Sequence, residues 1–209
     1  MTALLRRLAK DPVVVAALCG LLAALVHLES LGGDFVFDDV PAIADNPLVD
    51  GRAPLSAIFE QSFWGQRPGY EHITTWRPLT TLGFRASWLI SEEPFGFRLT
   101  NVVLHGLVTA LVALLAAAWS RRTGAGLFAG ALFAVLPVHV EAIAGAVNRA
   151  EVQAALFYVG ALLAVLLAQR SARGRTWGVA LALFVLALGS KEHAITLPVA
   201  AAVLWFEAL

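Results

Sequence analysis

The chain has 209 residues, of which 59% are hydrophobic and 14% charged, with zero formal net charge and a single cysteine, Cys19. A soluble domain carries about 25% charged residues, so the composition points to an all-α polytopic membrane protein. Zero net charge leaves no general electrostatic basis for binding nucleic acid, and one cysteine excludes an intrachain disulfide.

Arg6, Arg7 and Lys10 precede the first apolar run. No small-x-small cleavage site follows that run, so it reads as an uncleaved anchor. Cys19 reads as a small apolar residue inside it. Six spans are predicted, at about Val13–Leu31, Leu99–Trp119, Gly124–Val138, Val152–Ala168, Trp177–Leu188 and Ala194–Phe206. A crossing needs about 20 residues, and the last two fall short of that. Pro198 kinks the sixth or marks its first turns. Basic residues cluster before the first span, after the second (Arg121, Arg122) and after the fourth (Arg170, Arg173, Arg175). An even number of crossings separates these clusters, so the N-terminus and all three belong on the cytoplasmic side.

The opposite side receives a loop at about 32–98, a turn at about 139–151 and Lys191-Glu192-His193. All acidic residues except Asp11, Glu29 (near the end of the first span) and Glu207 fall there. Within the loop, Pro54–Phe63 and Pro78–Ile90 have helical apolar spacing, which predicts amphipathic helices at the membrane interface. The alternative is a small folded loop domain. The whole chain reads as one transmembrane domain, 1–209, without internal repeat or second domain.

Three polar constellations stand out. Asp38 and Asp39 follow Phe35-Val36-Phe37, which hold them close to the bilayer. Burial there raises a carboxylate's proton affinity, as suits a general base. Helix capping or plain solvation is the competing reading. Next, His139, Glu141, Arg149 and Glu151 crowd one turn. Either they pair with one another, or Arg149 binds an anion while the acids orient a sugar or acceptor. Lastly, Lys191 is placed for a lipid phosphate, unless it simply pairs with Glu192. His139, Glu141 and His193 lack a recognised metal-ligand spacing, so no metal is assigned. There is no phosphate-cradling glycine loop, no Gly-x-Ser-x-Gly elbow and no cysteine nucleophile.

These segments, in this order, resemble the membrane part of the transmembrane and tetratricopeptide-repeat O-mannosyltransferases. The resemblance runs through Asp34-Phe35-Val36-Phe37-Asp38-Asp39-Val40-Pro41-Ala42-Ile43, Phe63-Trp64-Gly65, Trp76-Arg77-Pro78-Leu79-Thr80 and Phe97-Arg98-Leu99-Thr100-Asn101-Val102-Val103-Leu104-His105. It continues in Pro137-Val138-His139-Val140-Glu141-Ala142, Asn148-Arg149-Ala150-Glu151 and Lys191-Glu192-His193-Ala194-Ile195-Thr196.

The resemblance implies a C-type glycosyltransferase fold and a polyprenyl-phosphate sugar as substrate, with no cofactor. It makes Asp38 the catalytic carboxylate in the first external loop and Asp39 its neighbour. The implied reaction is a single inverting displacement onto an acceptor hydroxyl of a protein or glycan. Arg149 and Lys191 would neutralise the leaving phosphate, and Asp39, His139, Glu141 and Glu151 would orient sugar or acceptor. Trp64 or Trp76 would stack on a sugar, and Arg77 and Glu192 would join the substrate site. Members of the family usually carry more spans and then helical repeats, so this chain is expected to be a fragment, a truncated homologue or one part of a larger assembly. Alanine-rich spans suggest a bacterial inner membrane. A non-catalytic lipid-phosphate binder or flippase, and a structural membrane scaffold, are the rival readings.

Overall fold

The computed structural model describes residues 11–66, 69, 72–171 and 174–207. Arg6, Arg7, Lys10 and Arg173 lie outside them. No strand occurs among the described residues. In chain order the helices are α1 (Pro12–Val26), α2 (Pro47–Asp50), α3 (Ala57–Glu60), α4 (Pro78–Trp88), α5 (Pro94–Ser120), α6 (Thr123–Val135), α7 (Val140–Ala144), α8 (Arg149–Ser171), α9 (Gly174–Ser190) and α10 (Leu197–Glu207).

Two helical stretches, Pro94–Ser120 and Ala146–Arg170, are long and apolar enough to cross a membrane. A third candidate is the pair Thr123–Val135 and Pro137–Ala144, bent by 54°. Pro137 causes the bend. It has no N–H to continue the helix, and it pushes the preceding residue away from helical torsions; Leu136 is accordingly extended, at φ −66° and ψ 122°. The other predicted spans are shorter apolar helices, at Pro12–Val26, Gly174–Ser190 and Glu192–Phe206.

α1, α5 and α6 pack on one another, and α8 joins α5 to α9 and α10. Small residues let these backbones approach, as suits helices that share an apolar solvent. A Cβ on Gly20 of α1 would sit 2.6 Å from the Gly106 carbonyl oxygen of α5. The Asp11 side chain caps α1 by accepting from Val13 N at 2.9 Å. At its far end the His27 ring bonds the Ala23 carbonyl at 2.9 Å.

The 32–98 loop is a folded layer across one end of this bundle. Its core holds Ala42, Ile43, Val49, Phe63 and Phe84, closed by Phe97 of α5 and by Ala146. Asn46 organises it. Its amide donates to the Ala42 and Phe63 carbonyls, and its oxygen caps α2 by accepting from Leu48 N. Of the two predicted amphipathic helices, Pro78–Trp88 forms, and it buries Phe84 in the loop core. The other is helical only at Ala57–Glu60. The chain turns extended at Gln61, and Phe63 N donates to Thr75 O at 2.7 Å, so a loop pairing replaces the next helical turn.

The opposite end of the bundle gathers Pro12, Arg121, Arg122, Thr123 and Arg170 around one surface depression. Arg170 bonds the Ala118 carbonyl there at 2.7 Å. Two of the basic clusters therefore share an end, away from the loop layer.

Candidate active site

The Asp-Asp pair splits into two tasks. Asp39 is 1% exposed. Its Oδ1 accepts from Val147 N at 2.8 Å and its Oδ2 from Val36 N at 3.3 Å. It thereby ties the turn at 36–39 to the segment leading into α8. Asp38 is exposed on the rim of a cavity of about 520 Å³ that Asp39, Arg98, Glu141 and Asn148 also line. Phe37, between the two walls of this turn, has φ +46° and is 93% exposed. A left-handed aromatic is costly, and this one is held where the turn presents Asp38.

Arg98 fastens the other side of the turn. Its guanidinium donates to the carbonyls of Gly32, Gly33 (2.5 Å), Asp34 (2.6 Å) and Ala144 (3.1 Å). Gly33 has φ +94°, and a Cβ there would lie 2.9 Å from Arg98 Nη1. Only glycine meets both conditions without strain.

A second cavity, of about 400 Å³, opens among α5, α6, α7 and α8. His105, His139, Glu141, Asn148, Glu151 and His193 supply its polar wall, and Val108, Phe133, Val138 and Val152 its apolar one. Glu141 and Asn148 line both cavities, so the chambers meet at these two residues. The His105 ring lies between His27, edge-on at 4.9 Å, and Phe133, stacked at 5.6 Å. His139 packs on Phe133 at 4.2 Å and on His105 at 5.1 Å.

Ion pairs flank Glu151 and His193 of the second chamber's polar wall, although Lys191, Arg77 and Glu192 do not themselves line the chamber. Lys191 Nζ pairs with Glu151 Oε1, and Arg77 grips Glu192 with Nε and Nη2 at 3.0–3.2 Å. The neighbour expected to pair with Lys191, Glu192, thus pairs with the loop instead. Burial and then the Arg77 charge hold the Lys191 ammonium below its ordinary range. Burial pushes the Glu192 carboxyl up, but the Arg77 hydrogen bonds and charge outweigh this, and it sits below the usual carboxylate range. Burial, and next the Lys191 charge, hold the His193 imidazole down as well.

Arg149 stands apart from both chambers. It is 1% exposed and lines neither chamber. Its guanidinium donates to Asn101 Oδ1 (3.3 Å), Gly83 O (2.8 Å), Ser87 Oγ (2.9 Å) and Phe97 O (3.0 Å). It also stacks over Phe84 at 4.9 Å and Phe97 at 5.3 Å. Four of the five guanidinium N–H donors are spent in joining α4 and α5 to the start of α8, and the burial of the group speaks for a structural task over phosphate binding. Trp76 and Trp64 line neither chamber either. Trp76 is half-exposed and donates to Phe59 O at 3.1 Å, while Trp64 packs edge-on against Phe63.

Asp38, Asp39 and Glu141 therefore share one chamber, while His139, Glu141 and Glu151 share the other; Lys191 touches that group only through Glu151, and Glu192 turns to Arg77. His27, His105, Arg98, Asn101 and Asn148 received no role from sequence. The signal for His105 was present, since an ionisable group inside an apolar span is a functional candidate by default. Among the described residues, no three His, Cys, Asp or Glu side chains are placed to hold a metal ion.

No family model matches the chain, and no solved structure matches it. Curated relatives do. Protein O-mannosyl-transferase Tmtc1 of Drosophila melanogaster is 40% identical over 184 residues, covering 85% of this chain and 21% of the relative. TMTC1 of Mus musculus is 43% identical over 166 residues, or 77% and 17%, and TMTC3 of Homo sapiens is 34% identical over 175 residues, or 81% and 19%. The chain spans about a fifth of the length of the curated relatives it matches. With identity at this level along most of its own residues, the chain belongs to the transmembrane and tetratricopeptide-repeat O-mannosyltransferase family.

Proposed function

We propose that this chain is the membrane part of an inverting glycosyltransferase. It transfers a hexose, mannose by analogy with its named relatives, from a polyprenyl-phosphate donor to a hydroxyl of a protein acceptor. The observation that carries the reading is the division of labour at the Asp pair. A buried carboxylate fixes the turn, and its neighbour is left free on the rim of a chamber. A base that must reach an incoming hydroxyl needs that combination of fixed backbone and open side chain.

In the proposed step, Asp38 takes the acceptor hydroxyl proton as its oxygen attacks the anomeric carbon. The bond from that carbon to the phosphate oxygen breaks, and polyprenyl phosphate leaves with the electron pair. Preorganised cations stabilise that developing charge. With Arg149 buried elsewhere, Lys191 and Arg77 take this task. Lys191 reaches the second chamber through its pair with Glu151, and Arg77 is bonded to Glu192 beside His193. Inversion in this reading has the attacking and leaving oxygens on opposite sides of the anomeric carbon.

The site end faces the extracytoplasmic side in this reading, because Arg121, Arg122 and Arg170 gather at the other end. The full C-type fold and six crossings belong to the same reading, as do helical repeats or a partner chain beyond this segment, and a bacterial inner membrane.

The test is mannosyl transfer by the full-length protein carrying Asp38→Asn. Turnover should fall about 10²–10⁴-fold, with donor binding retained. Normal turnover would sink the assignment and favour the lipid-phosphate binder.

A further inference from the structure

Resting on the transferase reading, we propose that the chamber among α5, α6, α7 and α8 is a pocket for the donor's hexose, and that His105 is the residue that reads the sugar. The site calls for a ligand. His105 is 3% exposed, yet its Nε2 has no hydrogen-bond partner, and neither does the Nε2 of His139 beside it. Buried polar atoms are almost always paired. Two adjacent orphans on the wall of a chamber of about 400 Å³ mark a place where the partner arrives from outside.

The surroundings decide what that partner is. Glu141 and Glu151 line the chamber with the histidines. Two carboxylates disfavour a phosphate inside, whereas they accept hydrogen bonds from hydroxyls. A neutral imidazole donates at one nitrogen and accepts at the other. A hydroxyl can answer either, so a neutral polyol ring satisfies carboxylates and imidazoles together. Phe133 adds an apolar surface against which the ring can lie.

Both histidines are pre-set for this. Phe133 stacks on one and packs on the other, and His27 meets His105 edge-on. Locked side chains lose little freedom on binding. The chamber also has the right neighbours at each end. Glu151 is bound to Lys191, where the phosphate is assigned, and Glu141 and Asn148 open onto the Asp38 chamber. A hexose seated here is bordered by the ion pair assigned to the phosphate and by the Asp38 chamber, and its anomeric carbon must lie where the two meet for the displacement at that one atom.

The test uses the full-length protein in nanodiscs and two soluble probes, citronellyl phosphate and its mannosyl ester. The wild type should bind the mannosyl ester about tenfold more tightly than the bare phosphate, the size of gain a few net hydrogen bonds give. His105→Phe keeps the ring stack and removes the nitrogens. It should erase the sugar's gain and leave affinity for the bare phosphate unchanged. Ala155→Met fills the chamber from its α8 wall and should do the same, so the proposal remains testable if the histidine variant misfolds. Retention of the gain in both variants, or its absence in the wild type, overturns the hexose pocket and leaves the transferase reading standing. Failure of the wild type to bind either probe removes both.

Discussion

Arg149 offers the sharpest separation between holding the fold and holding a ligand. Replacing it by methionine keeps a long apolar stem and removes every donor. Gly83 O and Phe97 O, two buried backbone carbonyls, lose their partners, as do Ser87 and Asn101. A hydrogen bond to a charged group contributes about 1.5–3 kcal/mol net. Four cannot simply be summed, because methionine recovers packing against Phe84 and Phe97 and the charge no longer has to be desolvated. Disruption of a buried ionic network typically costs about 3–5 kcal/mol, and that is the expected loss here. For a chain of this size each kcal/mol shifts the thermal transition by about 2–4 °C, so Arg149→Met should lower it by roughly 6–20 °C. Tryptophan fluorescence on purified protein in detergent reads this directly. Folded variant that survives at low temperature should bind polyprenyl phosphate with wild-type affinity. An unchanged transition together with weakened phosphate binding would refute the assignment and return Arg149 to the donor site.

Two further outcomes follow from the same geometry. Asp39→Ala leaves the Val147 and Val36 N–H groups without their acceptor, so it should destabilise the protein by about 1–3 kcal/mol and loosen the Asp38 turn; an unshifted thermal transition would show that the turn is held otherwise. The Arg77–Glu192 pair should show coupling in a thermal double-mutant cycle with Arg77→Gln and Glu192→Gln. The folded Glu192 carboxyl sits below its unfolded value, so this stabilisation is complete above the ordinary carboxylate range and fades as pH falls through the lowered folded value. Coupling that strengthens on acidification would contradict the pairing.

The helices around the site were legible because an apolar run leaves few options, and Pro198, expected to kink the sixth span or mark its first turns, lies in the first turn of α10; the bend at Pro137, inside the third predicted span, was not foreseen. Boundaries were less legible. The run at 13–31 is helical only to Val26, because the His27 ring and the tight turn at 28–31 end it. In the loop, helical spacing at 54–63 misled because Ile58 and Phe63 face two separate apolar clusters, and a backbone bond from Phe63 to Thr75 replaces the next helical turn. Burial of charge was the hardest to read. Arg149 and Arg98 sit in motifs rich in polar residues, and nothing local shows that each spends its donors on carbonyls distant in sequence.

The Asp pair and the arginines make one argument together. In an apolar bundle a backbone turn that carries chemistry must be fixed without water, and its unpaired carbonyls and N–H groups need partners. Here Arg98 takes the carbonyls of 32–34 and Asp39 takes the N–H groups of 36 and 147. Arg149 does the same for the α4–α5 carbonyls beneath them. Charged residues near Asp38 are thus mostly spent on the backbone. In the proposed reading, those left to meet a substrate are the few whose side chains remain on a chamber wall or rim, Asp38, Glu141 and the histidines, with the Lys191 and Arg77 pairs beside them. Proximity in sequence to a reactive residue is therefore weak evidence of a shared role, since the neighbour of a free carboxylate is where the scaffold most needs a bound one.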